Sequence, residues 1–255
     1  MPTRLLLVPV LWLLLLLPGL AQEASGAPGF VAVYADAEDP RYKLVQEAIQ
    51  EAKLLETVAE FLNAVFVMPR QVTLIGGEAG QVNAFYSPEH HAVIISYELI
   101  MYFVELFQKV DPKDGHQYAS GALLFVIFHE IGHCLIGELG LPTVGKEEDA
   151  VDEFATLLLL EFGEQGQMAI LGAAAWFAHT GVEGDANLPF WDEHSLSQQR
   201  FYGIFTLLYA TNPATYGEMA GQLGISERRL ALAKDEYRKK DEAWSRLLQP
   251  HVRGQ

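Results

Sequence analysis

His129, Glu130 and His133 form an H-E-x-x-H run, and on a helix this spacing places two imidazoles one turn apart with a carboxylate beside them. Residues four apart lie about 40° apart around a helix of 3.6 residues per turn, so both rings can aim at one point. Such a pair suits a hydrolytic zinc ion, with Glu130 placed as general base. The flanking residues, Ser120 to Phe128 and Cys134 to Ile136, are almost wholly apolar, as in a helix buried on every side. Two imidazoles and a carboxylate buried there need a metal or a dedicated polar network.

Catalytic zinc takes three protein ligands and keeps a fourth position open, so a further ligand is expected downstream. The segment Glu147-Glu148-Asp149-Ala150-Val151-Asp152-Glu153 offers five carboxylates. On a helical projection centred on Val151, Glu148 and Asp152 fall at the edge of the apolar arc, whereas Asp149 and Glu153 point to solvent. Glu148 is therefore expected as the third ligand and Asp152 as the acceptor that orients a ligating histidine. Glu147 also projects near the apolar arc and stands as the alternative ligand.

The other histidines divide by context. His90 and His91 sit in a turn and are read as solvated surface residues. His116, His179 and His251 carry no signal. His194 precedes Ser195-Leu196-Ser197-Gln198, which reads as the capped start of a helix. That junction would let its imidazole reach a developing oxyanion, with a structural role at the helix start as the alternative; the same two readings apply to Arg200 and Tyr202. Cys134, the only cysteine, is read as a small buried core residue, and it excludes an internal disulfide.

The elements that position these groups follow an α+β order. Residues 30–35 alternate as a short strand, and residues 41–65 repeat apolar positions at helical spacing, Leu44, Ala48, Ala52, Leu55, Val58 and Leu62. Strands are expected at 72–75, 81–86 and 92–97, the last two joined as a hairpin through Ser87-Pro88-Glu89-His90-His91. Helices are expected over 100–110, 118–139, 147–162, 167–179, 196–209 and 227–247.

Three further stretches sharpen the reading. H-E-x-x-H followed by Glu148-x-x-x-Asp152 and Phe154-Ala155 resembles the gluzincin-type zinc metallopeptidases. Val82-Asn83-Ala84-Phe85-Tyr86-Ser87-Pro88, with the strand Ala92 to Leu99, is similar to the two strands that precede the metal helix in several of them. With Asp192-Glu193-His194 and Gln199-Arg200-Phe201-Tyr202 the pattern most resembles a bacterial metallopeptidase family of uncharacterised function, over roughly residues 70–210. The resemblance implies a zincin-like fold, with a small, mostly antiparallel N-terminal sheet packed on the buried metal helix and a helical C-terminal half. It also implies a substrate-binding edge at Asn83, Ala84, Phe85 and Tyr86, and it supports the catalytic reading of His194. Many family members carry cysteines near the two strands where this chain has Ala79 and Ser96, so an inter-strand disulfide is not available here.

Residues 1–21 read as a leader: Arg4, an apolar run from Leu5 to Leu17, then Pro18-Gly19-Leu20-Ala21 as a small-residue cleavage site. Residues 22–29 read as a linker and 30–255 as a single domain, secreted or periplasmic, with no stable membrane insertion after cleavage. Half of the residues are apolar, enough for a substantial core without disulfides. The net charge of -16 argues against nucleic acid as a partner. Together these features point to hydrolysis of a peptide or protein substrate with one zinc ion. A non-catalytic module on the same scaffold, binding metal or a partner, and a zinc hydrolase of a non-peptide amide are the alternatives.

Overall fold

The computed structural model describes residues 27–181 and 195–254. The expected leader, most of the linker and His194 lie outside the described residues. The first half of the chain builds a four-stranded sheet: β1 (Gly29–Tyr34), β2 (Gln71–Gly77), β3 (Ala84–Ser87) and β4 (Ala92–Ser96). Their spatial order is β1-β2-β4-β3. β1 runs parallel to β2 and β2 parallel to β4, and only β3 and β4 are antiparallel.

The expectation of a mostly antiparallel sheet is thus corrected: the sheet is mixed. Its cause lies between β1 and β2, where α1 (Pro40–Glu51) and α2 (Leu54–Val65) form a helical crossover. A helical return to the adjacent strand brings the chain back in the same direction, hence parallel. The hairpin is present as expected, with its turn closing at His91 in the left-handed region (φ 48).

The single helix expected over 41–65 is two helices. Lys53 takes a left-handed conformation (φ 49), and the break re-aims the apolar stripe. α1 buries Val45 and Ile49 and leaves Leu44 half exposed, whereas α2 buries Leu54, Leu55, Val58, Ala59 and Leu62. One straight helix could not bury both sets on the same face.

The rest of the described chain is helical: α3 (Tyr97–Val110), α4 (Gly115–Leu139), α5 (Glu147–Leu160), α6 (Gly163–Thr180), α7 (Ser197–Thr211), α8 (Pro213–Gln222) and α9 (Glu227–Leu248). The sequence reading missed α8, although Asn212 and Pro213 are an N-cap and first-turn pair and the Asn212 Oδ1 accepts from the Thr215 N–H at 3.1 Å. α4 is long and apolar enough to cross a membrane, but it is buried almost throughout inside the fold. It packs on α3, α5 and α6 and against β3 and β4, and stops at Gly140 in the left-handed conformation (φ 63). Its residues Phe125, Ile127, Phe128, Ile131, Cys134 and Leu135 are inaccessible to solvent.

Candidate metal centre

The central helix brings the site to the sheet. His129 and Glu130 are buried on α4 and His133 is half-buried one turn on. Gly132 sits between the two histidines where α5 crosses. A Cβ at that position would lie 2.9 Å from both Val151 Cβ and Val151 Cγ1, so glycine is what lets α5 approach. That approach delivers the acidic first turn of α5 to the imidazoles.

Glu148 meets both rings. Its Oε2 lies 3.2 Å from His129 Nε2 and its Oε1 3.3 Å from His133 Nε2. The candidate ligand atoms of His129, His133 and Glu148 all lie within 4.8 Å of one another. The outer ring nitrogens are held by separate carboxylates: His129 Nδ1 by Asp152 Oδ1 at 2.8 Å, and His133 Nδ1 by Glu147 Oε1 at 2.8 Å. A proton on each Nδ1, donated to its carboxylate, leaves the Nε2 lone pairs free to converge. Glu148 thus bridges the two imidazoles on their inner side, and Asp152 holds His129 on its outer side. Glu147, the alternative ligand, instead steadies His133 from outside the cluster.

Arg200 joins the cluster through Asp152. From α7 its Nε reaches Asp152 Oδ2 and its Nη2 reaches Asp152 Oδ1, both at 2.7 Å. Its guanidinium also stacks 4.3 Å from the Phe177 ring centroid on α6. The sequence carried no spacing signal for this pair, because 48 residues separate its members. Tyr202 is exposed and its hydroxyl donates to the Leu223 carbonyl, away from the metal cluster. Glu153, expected in solvent, is half-buried and paired with Lys240 of α9. Asp149 is exposed, as expected, and accepts from the Ser195 hydroxyl at 2.6 Å. Ser195 therefore does not cap α7; the Gln199 side chain does so, accepting the Leu196 N–H at 3.1 Å.

The electrostatics follow from burial and pairing. Burial would raise the Asp152 carboxyl, but the Arg200 guanidinium overrides it and holds Asp152 below the usual carboxylate range. Burial would lower both histidines, yet the carboxylates on either side win: His129 is raised, and His133 is pushed up to about 9. Glu130 is raised, chiefly by burial. Glu130, Glu147, Glu148 and Asp152 are four carboxylates against one guanidinium. With neutral imidazoles and ionised acids, the centre carries three excess negative charges. Two nitrogens and a carboxylate oxygen aimed at one point, in surroundings this negative, fit a divalent cation.

The edge strand completes the geometry. The Ser96 N–H donates to the Asn83 carbonyl at 3.1 Å and the Asn83 N–H to Ser96 Oγ at 3.1 Å. Antiparallel pairing alternates, so Ala84 and Tyr86 turn their backbone groups away from β4 toward the open edge. The Tyr86 N–H there donates to Glu130 Oε2 at 3.0 Å. Ser96 also caps α3 through the Leu99 N–H at 3.0 Å. The backbone N–H groups of Ala79 and Gly80 are held by the buried Glu98 carboxylate. The loop before β3 is therefore tied by hydrogen bonds at Ala79, Gly80 and Asn83.

A family model described as "Putative metallopeptidase" matches residues 34–248. No curated protein and no solved structure matches the chain.

Proposed function

Because the chain belongs to this family of metallopeptidases, we propose that it is an exported zinc peptidase that cleaves peptide bonds with Glu130 as general base. One observation carries the reading most: both histidine Nε2 atoms converge on Glu148 while each Nδ1 is fixed by its own carboxylate. His129, His133 and Glu148 would hold the ion, and a zinc ion there supplies Lewis acidity and an acidified water near neutral pH. Two nitrogens and one oxygen suit zinc better than magnesium or calcium, which prefer all-oxygen sites.

Glu130 lies next to both ligands, and its burial raises its proton affinity toward the range useful to a base at neutral pH. It takes a proton from the attacking water and later gives it to the leaving amine. The Tyr86 N–H holds one Glu130 oxygen in place, leaving the other for that transfer. The outward N–H and C=O of Ala84 offer an extended substrate a backbone partner, and Asn83, Phe85 and Tyr86 flank it. His194 is assigned as donor to the developing oxyanion. Its test is His194→Ala, which lowers turnover by roughly 10- to 1,000-fold with unchanged metal content; loss of melting temperature alone would remove the role.

Residues 1–21 are proposed as a cleaved leader, which N-terminal sequencing of the mature protein tests at Ala21. The central test is cleavage of a diverse peptide pool, with and without chelator, by the parent and by Glu130→Gln. Chelator-sensitive cleavage that vanishes in a Glu130→Gln protein still holding metal supports the reading. Absence of cleavage by the metal-loaded parent, or near-parental activity in Glu130→Gln, overturns it.

A further inference from the structure

His91 keeps an exposed face at its turn, yet its ring is also tied to the metal helix. Glu138, two turns beyond Glu130 on α4, has a side chain only 3 % exposed. It accepts from the Tyr86 hydroxyl at 2.7 Å and pairs with His91 Nδ1 at 2.7 Å through the same Oε1. Its Oε2 lies 3.2 Å from Arg70 Nε, and Arg70 Nη1 lies 3.2 Å from His91 Nε2. A carboxylate this buried is kept only with such partners. All three partners flank or belong to the hairpin: Tyr86 on β3, His91 at its left-handed turn, and Arg70 just before β2.

A second observation points the same way. A Cβ on Gly137 would lie 3.0 Å from Tyr86 Cε1 and 3.3 Å from its hydroxyl. Gly137 therefore opens the surface of α4 for the Tyr86 ring, and the next residue supplies the carboxylate that receives the hydroxyl. Tyr86 is gripped twice by one helix, at its backbone by Glu130 and at its ring tip by Glu138.

We infer that Glu138 is a positioning residue for the substrate-binding edge: with Gly137, Arg70 and His91 it clamps the Tyr86 ring, and so sets the distance of β3 from Glu130. The inference rests on the peptidase reading for its effect on turnover, but the clamp itself is a property of the hairpin. Displacing reacting groups by about 1 Å costs up to about 100-fold in rate, so a slack hairpin must show in catalysis.

The experiment compares the parent with Glu138→Gln, Tyr86→Phe and the double variant in the metal-loaded full protein. It follows peptide kcat/KM, bound metal, melting temperature and hydrogen exchange at the Tyr86 amide. The expected result is a fall in kcat/KM of about 10- to 100-fold in each single variant with metal content unchanged. The double variant is no worse than the weaker single, and Tyr86 amide exchange is faster in all three. A lower melting temperature with unchanged kcat/KM and unchanged Tyr86 exchange overturns the clamp. Should Glu138→Gln fail to fold, Tyr86→Phe decides, since it leaves the Glu138 pairs with Arg70 and His91 intact. If the parent cleaves no peptide, the peptidase reading fails, and Tyr86 amide exchange alone still decides whether Glu138 holds the strand.

Discussion

Replacing Arg200 with methionine removes the guanidinium paired with Asp152, leaving His129 as its remaining partner, while keeping much of the side-chain volume. The Arg200 and Asp152 side chains are 12 % and 7 % exposed, so the pair is screened little by solvent. Taking one partner from a buried ion pair costs roughly 3–5 kcal/mol, because the other charge stays behind. Loss of the contact with the Phe177 ring adds about 1 kcal/mol. In the parent, Asp152 is held below its ordinary range, so its contribution to stability is complete above the unfolded carboxylate range and is lost only as strong acid is approached. In Arg200→Met only the His129 ring still opposes burial, and the Asp152 carboxyl moves up. The expected deficit is therefore largest near neutral pH and shrinks on mild acidification, as Asp152 in the variant takes up a proton that the parent refuses. Urea unfolding of both proteins, metal-loaded and metal-free, between about pH 7 and 5 measures this directly. Metal affinity should fall about 10- to 100-fold alongside, since the carboxylate that orients His129 is no longer held by Arg200. A deficit under about 1 kcal/mol, or one that stays constant across that pH range, would refute the argument.

Glu148→Ala should abolish stoichiometric metal binding, whereas Asp149→Ala, an exposed neighbour held by Ser195, should retain it; equal metal content by atomic emission would break the assignment. Gly132→Ala forces α4 and α5 apart, and should cost about 1–3 kcal/mol in urea unfolding together with weaker metal binding. Metal binding near pH 7.5 should release about one to two protons, since both histidines are raised and must lose protons to ligate; calorimetry in buffers of different ionisation enthalpy counts them. In the metal-free protein, His133, raised to about 9, lends stability that is complete below its ordinary 6.5 and gone once pH exceeds 9. Metal-free unfolding free energy that rises between those values would contradict the pairing of His133 with Glu147 and Glu148.

The site was legible wherever it is local in sequence. His129, Glu130 and His133 share one turn of a helix, and Glu148 and Asp152 share one turn of another, so helical spacing singled out residues that the fold brings together. Spacing was silent where tertiary contacts intervene: Glu147 meets His133, Glu153 meets Lys240, and His91 meets Glu138. None of these partners can be found by periodicity, because each lies on another element. The fold shows the same division. The hairpin and the long buried helix followed from turn residues and apolar runs, whereas the strand order depends on a crossover whose helices were read as one. The break at Lys53 was invisible because lysine rarely adopts positive φ without a strong tertiary demand.

The open side of β3 has a consequence for solubility. A sheet margin with unpaired backbone groups is a template on which a second chain can grow. Here the margin is four residues long, and one of its outward N–H groups is already taken by the Glu130 carboxylate. A buried negative charge set against the strand repels an arriving backbone carbonyl at that point, yet leaves Ala84 accessible. The same carboxylate that would work as the base thereby guards the sheet against pairing with its own copies.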